Sequence, residues 1–508
     1  MKKILLYTMA AAALTLSSCS LDVNDDPNHP TTVEPSLVFP SAEAALATAV
    51  GDGFYNPSGF FVQYYDQLPE SEQYWSLVRY DFHQSDAVLD YTYRTLFAGA
   101  LPDLNTVISA SSSTQADKYV ATVLRTYIYQ LSVDNWDQIP YSQATQGGSI
   151  PNPKWDDGES VYKGALNELD SMENQLDGSS VTITDMVNGK SLSQWKGFAN
   201  ALRLRMYLRF IDAGVDASDY TTKVKQLVAK NEFFTGDIKF DNFSDEDNRR
   251  NPWYTTNVTS LNTTNHCAGY ALVSYLKSTG DNARLNWAFK PAAAKGTIEG
   301  CLPNKKSGVS SEKNNTVSEL KYYPTKPVYF FTQAELQFLI AEVQLRFNHD
   351  DAAAKAAYQA AIDADYSARG LSGASALYSN GGAVAWAGTD AEKLDLIYMQ
   401  KWVALFYMDH LEAWSEQRRT DVPKASGMTA AQVKASPTTY VAGELISPYS
   451  NALGDNVYPK REWFPYDATQ YNPNTPKAVC NTKDYEEINY IRHVSGFATV
   501  HGTYLMRR

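Results

Sequence analysis

The chain has 508 residues and a net charge of −13, with 34 tyrosines and 10 tryptophans. That length admits a large core and a soft prior of about three domains, yet no low-complexity linker divides it, so one large unit is expected. The acidic balance and the lack of any basic patch or run argue against a nucleic-acid partner.

Lys2 and Lys3 precede an apolar run from Ile4 to Leu16. The run is too short to cross a bilayer and has the form of a signal peptide over 1–18. Leu16-Ser17-Ser18-Cys19 places small residues against a cysteine and resembles a bacterial lipobox, in which Cys19 carries the lipid. Acidic residues Asp22, Asp25 and Asp26 follow, and a Pro-containing run extends to Pro40; 19–40 reads as an extended tether. No later apolar run reaches the roughly 18 residues of a span, so the lipid would be the only membrane anchor. Of the other cysteines, Cys267 and Cys301 are a possible bridge, and Cys480 is left over. No C-x-x-C is present, so zinc is not expected.

Ser41 is placed to cap an Ala-rich helix to Val50, the start of a single domain over 41–508. Aromatic residues crowd from Phe54 to Phe82. Asp117 to Asn135 reads as a helix with Val120, Val123, Leu124, Tyr127, Ile128 and Leu131 on its buried side, stopped by Pro140. Asp157 to Leu176 is the next helix. Ser191 and Gln194 form a capping box before a helix bearing Trp195, Phe198, Leu202, Arg203, Arg205 and Arg209. From 233 to 328 the helical period fails among Asn, Thr, Gly and Pro. A stretch so long and so aromatic is read as an ordered, loop-rich insertion.

Thr332 and Glu335 form a second capping box, and Leu336, Leu339, Ile340, Val343 and Phe347 make one apolar stripe. After a short break, Asp351 opens an Ala-rich helix through Tyr358, Ala361 and Ile362. So short a connector makes the two helices antiparallel, in the manner of one tetratricopeptide-type pair. One pair cannot bury its own apolar face, so others must stack on it. A helix from Glu392 to Glu416 follows, with Arg418 and Arg419 capping or salt-linking its end. The expected architecture is mostly α: a helical scaffold over 41–232 and 329–420, the insertion at 233–328, and a loop-rich segment over 421–508.

Several stretches together resemble the SusD/RagB superfamily of nutrient-binding outer-membrane lipoproteins. They are Trp195-Lys196-Gly197-Phe198-Ala199-Asn200-Ala201-Leu202-Arg203-Leu204-Arg205, Asp137 to Ala144, Phe331 to Arg346, Gln400-Lys401-Trp402 with Glu412-Ala413-Trp414, Arg418 to Pro423, and Tyr458 to Asn472. They occur in the family's order across nearly the whole mature chain. The resemblance implies four tetratricopeptide-like helical pairs with an irregular ligand-binding half. It also implies partnership with a SusC-type TonB-dependent transporter, with an oligosaccharide, or in some relatives a peptide, as cargo. The ligand loops vary within the family, so the resemblance assigns no binding residue.

Binding residues are sought instead by chemistry. A sugar needs flat apolar faces for its C–H groups and fixed polar groups for its hydroxyls. Aromatics beside Asn, Gln or Arg outside periodic helices meet that need. Tyr74 and Trp75 with Arg79, then Arg249, Trp253, Tyr254 and Asn257, and lastly Trp287, are the candidates. Ser244 to Asn248 clusters oxygen ligands that could hold calcium, but it lacks an EF-hand's glycine and carboxylate spacing, so a solvated acidic loop is preferred and no cofactor is expected. No catalytic motif is present: no G-x-S-x-G, no H-E-x-x-H, no P-loop. A glycoside hydrolase would need a visible pair of carboxylates, and a bare helical interaction scaffold would not need the aromatic insertion. The expectation is a non-catalytic binding protein.

Overall fold

The computed structural model describes residues 33–262, 264–303 and 312–476. The signal peptide, Cys19, the first part of the tether and Cys480 lie outside them.

Helix α1 spans Pro35–Thr48, so it begins six residues before Ser41 and takes in part of the expected tether. Pro35 suits a first turn, where no N–H is needed, and Phe39 is fully buried with its ring against Trp195. Burial of Phe39, Ala42 and Leu46 outweighs the proline at position 40. Then follow α2 (Tyr55–Phe61), α3 (Leu101–Ser109), α4 (Gln115–Trp136), α5 (Gly158–Glu173), α6 (Leu192–Ala213), α7 (Ala217–Lys230), α8 (Tyr270–Ser278), α9 (Asn282–Ala288), α10 (Gln333–Val343), α11 (Asp351–Ala368), α12 (Asp390–Leu405) and α13 (His410–Thr420). Consecutive helices pack as pairs: α4 on α5, α6 on α7, α10 on α11, and α12 on α13. This is the tetratricopeptide-like scaffold. The strands are short and paired: β1 (Tyr65–Gln67) with β5 (His266–Ala268), β2 (Ile139–Pro140) with β3 (Trp155–Asp156), β4 (Ile238–Phe240) with β6 (Val328–Phe331), all antiparallel, and β7 (Ala425–Thr429) parallel to β8 (Leu445–Ser447). Two of these pairs, β1–β5 and β4–β6, clip the insertion to the scaffold. The insertion is less irregular than expected, because it also contains α8 and α9.

The caps explain where helices start. Thr114 accepts the Asp117 N–H at 3.0 Å and Asp117 returns a carboxylate to the Thr114 N–H at 3.0 Å, a complete capping box. The two boxes expected from sequence form only halfway. Thr332 accepts the Glu335 N–H at 3.0 Å, but the Glu335 side chain turns inward to Arg205. Ser191 accepts the Gln194 N–H at 3.4 Å, and Gln194 turns to the backbone of Thr235.

The expected helix from Glu392 to Glu416 is two helices. Tyr407 adopts φ +67°, and both sides of the break are capped. Arg369 gathers the carbonyls of Ala404 at 3.0 Å and Phe406 at 2.8 Å, and Asp409 accepts the Glu412 N–H at 3.0 Å.

The scaffold core is charged as well as apolar. Arg205 forks onto Glu335 at 2.6 and 2.8 Å. Arg209 bridges Asp134 at 2.5 Å and Glu412 at 2.6 Å. Arg419 holds Glu342 at 2.8 Å, Glu416 at 2.6 Å and Asp212 at 2.5 Å. Arg419 thus salt-links its own helix end, while Arg418 donates to the Trp414 carbonyl one turn back at 3.2 Å and ties the helix to the carbonyls of Lys460 and Asp134. Burial would raise the Glu342 pKa, but Arg419, Arg346 and Lys401 around it bring it down to about 2. Among the described residues no helix is long and apolar enough to cross a membrane.

Candidate functional site

The first candidate group sits on a one-turn helix, Trp75–Val78. Arg79 lays its guanidinium 4.3 Å from the centre of the half-buried Trp75 ring, a cation–π contact. Arg79 is fixed in turn by Asp81 at 3.0 Å and by the Ser450 carbonyl at 3.2 Å. Tyr74, one residue earlier, points the other way. It is 8% exposed, donates its hydroxyl to Asn257 at 2.7 Å and stacks on His266 at 4.9 Å.

The second group divides in the same manner. Asn251 caps a one-turn helix, Pro252–Tyr254, by accepting the Tyr254 N–H at 3.2 Å, and a wider helical turn continues over Thr255–Ser260. Residues four apart share a face of such a coil. Trp253 and Asn257 therefore turn inward together, 3% and 0% exposed, with Asn257 donating to the Trp253 carbonyl at 3.0 Å. Trp253 is enclosed by Tyr322 at 4.7 Å, Tyr55 at 5.1 Å, His266 at 5.4 Å and Tyr407 at 5.6 Å. In this arrangement Tyr74, Trp253 and Asn257 have no surface to offer a ligand; they hold the loops. Tyr254 remains half-exposed, with Arg250 5.9 Å over its ring, and exposed Arg249 pairs with Glu246 at 3.2 Å.

Trp287 lies on α9, half-buried. Arg369 stands 4.6 Å from its ring centre, Tyr323 stacks on it at 5.5 Å and Tyr407 meets it edge-on at 5.1 Å. Tyr323 also donates its hydroxyl to the Trp287 carbonyl at 2.8 Å. The half-buried Tyr322 and Tyr323 belong to this surface and were not among the sequence candidates. The signal was there: Lys321-Tyr322-Tyr323-Pro324 sets two aromatics beside a lysine outside any helix.

A buried aromatic spine connects these groups. Tyr74, His266, Trp253, Tyr407 and Trp287 follow one another with ring centres 4.9, 5.4, 5.6 and 5.1 Å apart. Two histidines serve it in their neutral form. His266 donates from Nε2 to Asn56 Oδ1 at 2.9 Å and accepts the Tyr322 hydroxyl on Nδ1 at 2.5 Å. His410 donates from Nδ1 to the Tyr55 carbonyl at 3.1 Å and accepts the Tyr407 N–H on Nε2 at 3.0 Å. A second ring proton on His410 would face the Tyr407 N–H, a donor, and burial lowers the His266 pKa to about 3.

The acidic loop makes internal pairs. Asp245 and Asp247 bracket Arg250 at 2.6 and 2.9 Å. Among the described residues no group of three or more His, Cys, Asp or Glu is placed to hold a metal ion.

Paired helices forming a frame, with an aromatic loop layer clipped onto it, define a helical-repeat scaffold protein. The chain belongs to the SusD-like family: residues 27–440 match its model, described as starch-binding and associating with the outer membrane. The fold agrees with solved members. A SusD homolog from Bacteroides uniformis superposes with a TM-score of 0.71 at 19% identity, covering 91% of this chain and 98% of that one. A chitin-binding protein gives 0.68 at 22% identity, covering 88% and 96%. A chitin-binding SusD homolog from Flavobacterium johnsoniae gives 0.67 at 19% identity, covering 92% and 96%. No curated protein matches the sequence.

Proposed function

We propose that this chain is a lipid-anchored, outward-facing protein of the outer membrane that captures an oligosaccharide and delivers it, unchanged, to a SusC-type TonB-dependent transporter. The observation that carries the reading is the pair of aromatic surfaces, Trp75 with Arg79 and Trp287 with Tyr323, backed by the buried spine. Flat rings fixed beside cationic and carbonyl groups suit the C–H faces and hydroxyls of a sugar. Trp75, Arg79, Arg249, Tyr254 and Trp287 are the contact residues of this reading, and Tyr74, Trp253 and Asn257 support them. The chitin-binding relatives and the family's description support a glycan over a peptide. The family's description as starch-binding supports the non-catalytic reading.

The test is calorimetry with glycans selected on an array. Trp75→Ala and Trp287→Ala should each weaken binding about tenfold, the worth of one aromatic stacking contact, with unchanged melting in Trp75→Ala and a folded protein in both. Wild-type affinity in both variants would sink the site. Release of reducing ends from the bound glycan would sink the non-catalytic reading.

A further inference from the structure

Cys267 and Cys301 bury their side chains completely in a small cluster with Leu68 and Val317. The backbone brings them together. Gly269 faces Cys301 across a parallel bridge, with the Cys301 N–H on the Ala268 carbonyl at 2.7 Å and the Tyr270 N–H on the Cys301 carbonyl at 2.9 Å. Cys267 is two residues before Gly269, so its side chain leaves the same face of the strand. The two thiols are close enough for each to shift the other's pKa. Each also has a second partner: Cys267 Sγ donates to the Gln67 carbonyl at 3.3 Å, and Cys301 Sγ lies 3.5 Å from the Leu302 carbonyl and 3.7 Å from Glu312 Oε2.

We infer that Cys267 and Cys301 are joined by a disulfide in the exported protein. A family that associates with the outer membrane folds beyond the reducing cytoplasm, where adjacent cysteines become oxidised. The balance is a thiol–disulfide exchange. Two Cys S–H bonds break and one S–S bond forms. The two electrons and two protons pass to the disulfide of an envelope thiol oxidase, which is left as a dithiol. Burial pushes the Cys267 thiol up to about 11, so the folded pair is a poor source of thiolate and the exchange belongs to the stage before this segment closes. The loop between the two cysteines carries α8, α9 and Trp287, so the bond would fasten that surface to β5 and, through it, to β1. A diagonal pair of this kind has Cα atoms about 7–8 Å apart, just beyond the separation a disulfide spans without backbone movement, so the bond requires the 299–302 segment to move towards β5.

The experiment uses the full chain recovered from the envelope of the cell that makes it. Thiols are alkylated in denaturant without reductant, and the protein is cut at Lys277, Arg284, Lys290 and Lys295, which separate the two cysteines. Mass spectrometry should find one cross-linked peptide pair, lighter by two hydrogens than the separate thiol peptides, and loss of alkylation at both positions. The pair should vanish in Cys267→Ser, which should leave Cys301 fully alkylated. Alkylation of both cysteines in the wild type overturns the inference. So does a link from either of them to Cys480. The measurement on the wild type stands even if the variant does not fold.

Discussion

Glu43→Gln should stabilise this protein at neutral pH and leave it unchanged in acid. Glu43 lies on α1 and is fully buried. It accepts the Met186 N–H at 2.9 Å and stands against Asp185. Asp185 is an acceptor on every side: it takes the N–H groups of Val187, Asn188 and Lys190 at 2.8 to 3.0 Å and the Trp195 indole at 2.7 Å. A second acceptor-only carboxylate beside it is costly, so Glu43 keeps its proton. Burial first and Asp185 second raise its pKa from 4.5 to about 9, against the lowering pull of the Met186 N–H.

A pKa raised by folding gives stability that is full below about 4.5 and is lost as pH rises through about 9. At pH 7 the cost of keeping the proton is about 3 kcal/mol, from roughly 1.4 kcal/mol per pKa unit over the interval above 4.5. Glutamine has the shape of the protonated acid, donates to Asp185 from its amide and takes the Met186 N–H on its oxygen. Urea unfolding of both proteins across pH 4.5 to 8 should therefore show equal stability at the acid end. A gap should open in favour of Glu43→Gln, reaching about 3 kcal/mol at neutrality. A variant less stable than wild type at pH 7.5 refutes the reasoning, because it would mean an ionised Glu43 whose partners the amide cannot replace.

Trp253→Ala should cost about 3–5 kcal/mol in urea unfolding, the range for emptying a buried aromatic site, and so differ from Trp75→Ala; melting unchanged from wild type would put Trp253 on a surface after all. Arg419→Met leaves Glu342, Glu416 and Asp212 without their shared cation and should cost about 3–5 kcal/mol; a loss below 1 kcal/mol would show that water or Lys401 replaces it. Cys19→Ala should move the protein from the membrane fraction to the soluble one, and unchanged fractionation removes the lipid from the account.

Several long helices were legible from their apolar stripes, though α7, with Tyr220, Val224 and Val228 buried, was not read. Leu336, Leu339, Ile340 and Val343 are buried as their spacing requires, and so are Ala354, Tyr358, Ala361 and Ile362 across from them. Helices α8 and α9 escaped because nine and seven residues hold too few turns to set a period. The break at Tyr407 escaped because both sides of it are apolar in sequence, and its cause, Arg369 capping from another helix, is a contact at long range. The Glu335 side chain went to Arg205 for the same reason: a buried guanidinium is a stronger partner than an N–H at a helix end. At the candidate site, residue type was legible and side-chain direction was not: Tyr74, Trp253 and Asn257 are buried. Composition marks Trp253 and Tyr254 alike; only the one-turn helix and the turn after it decide that the first faces in and the second out.

Polar and aromatic side chains divide the labour of this fold in a way that bears on its use. The scaffold helices are locked by directional pairs, Arg205 to Glu335, Arg209 to Asp134 and Glu412, Arg419 to Glu342 and Glu416, each fully buried and each lost if a helix slides. The loops have few such pairs inside; they are held by ring against ring, through the spine and onto Tyr55 and His410 of the scaffold. Ring contacts fix direction less strictly than ion pairs but do not depend on charge. The spine's two histidines are satisfied as neutral rings and burial lowers the pKa of both, so neither takes up charge between pH 5 and 8; the groups that titrate there are Lys326 over the Tyr55 ring and Asp409 beside His410, each brought to about 7 by burial. The aromatic surfaces at Trp75 and Trp287 therefore rest on rings that stay neutral in mild acid.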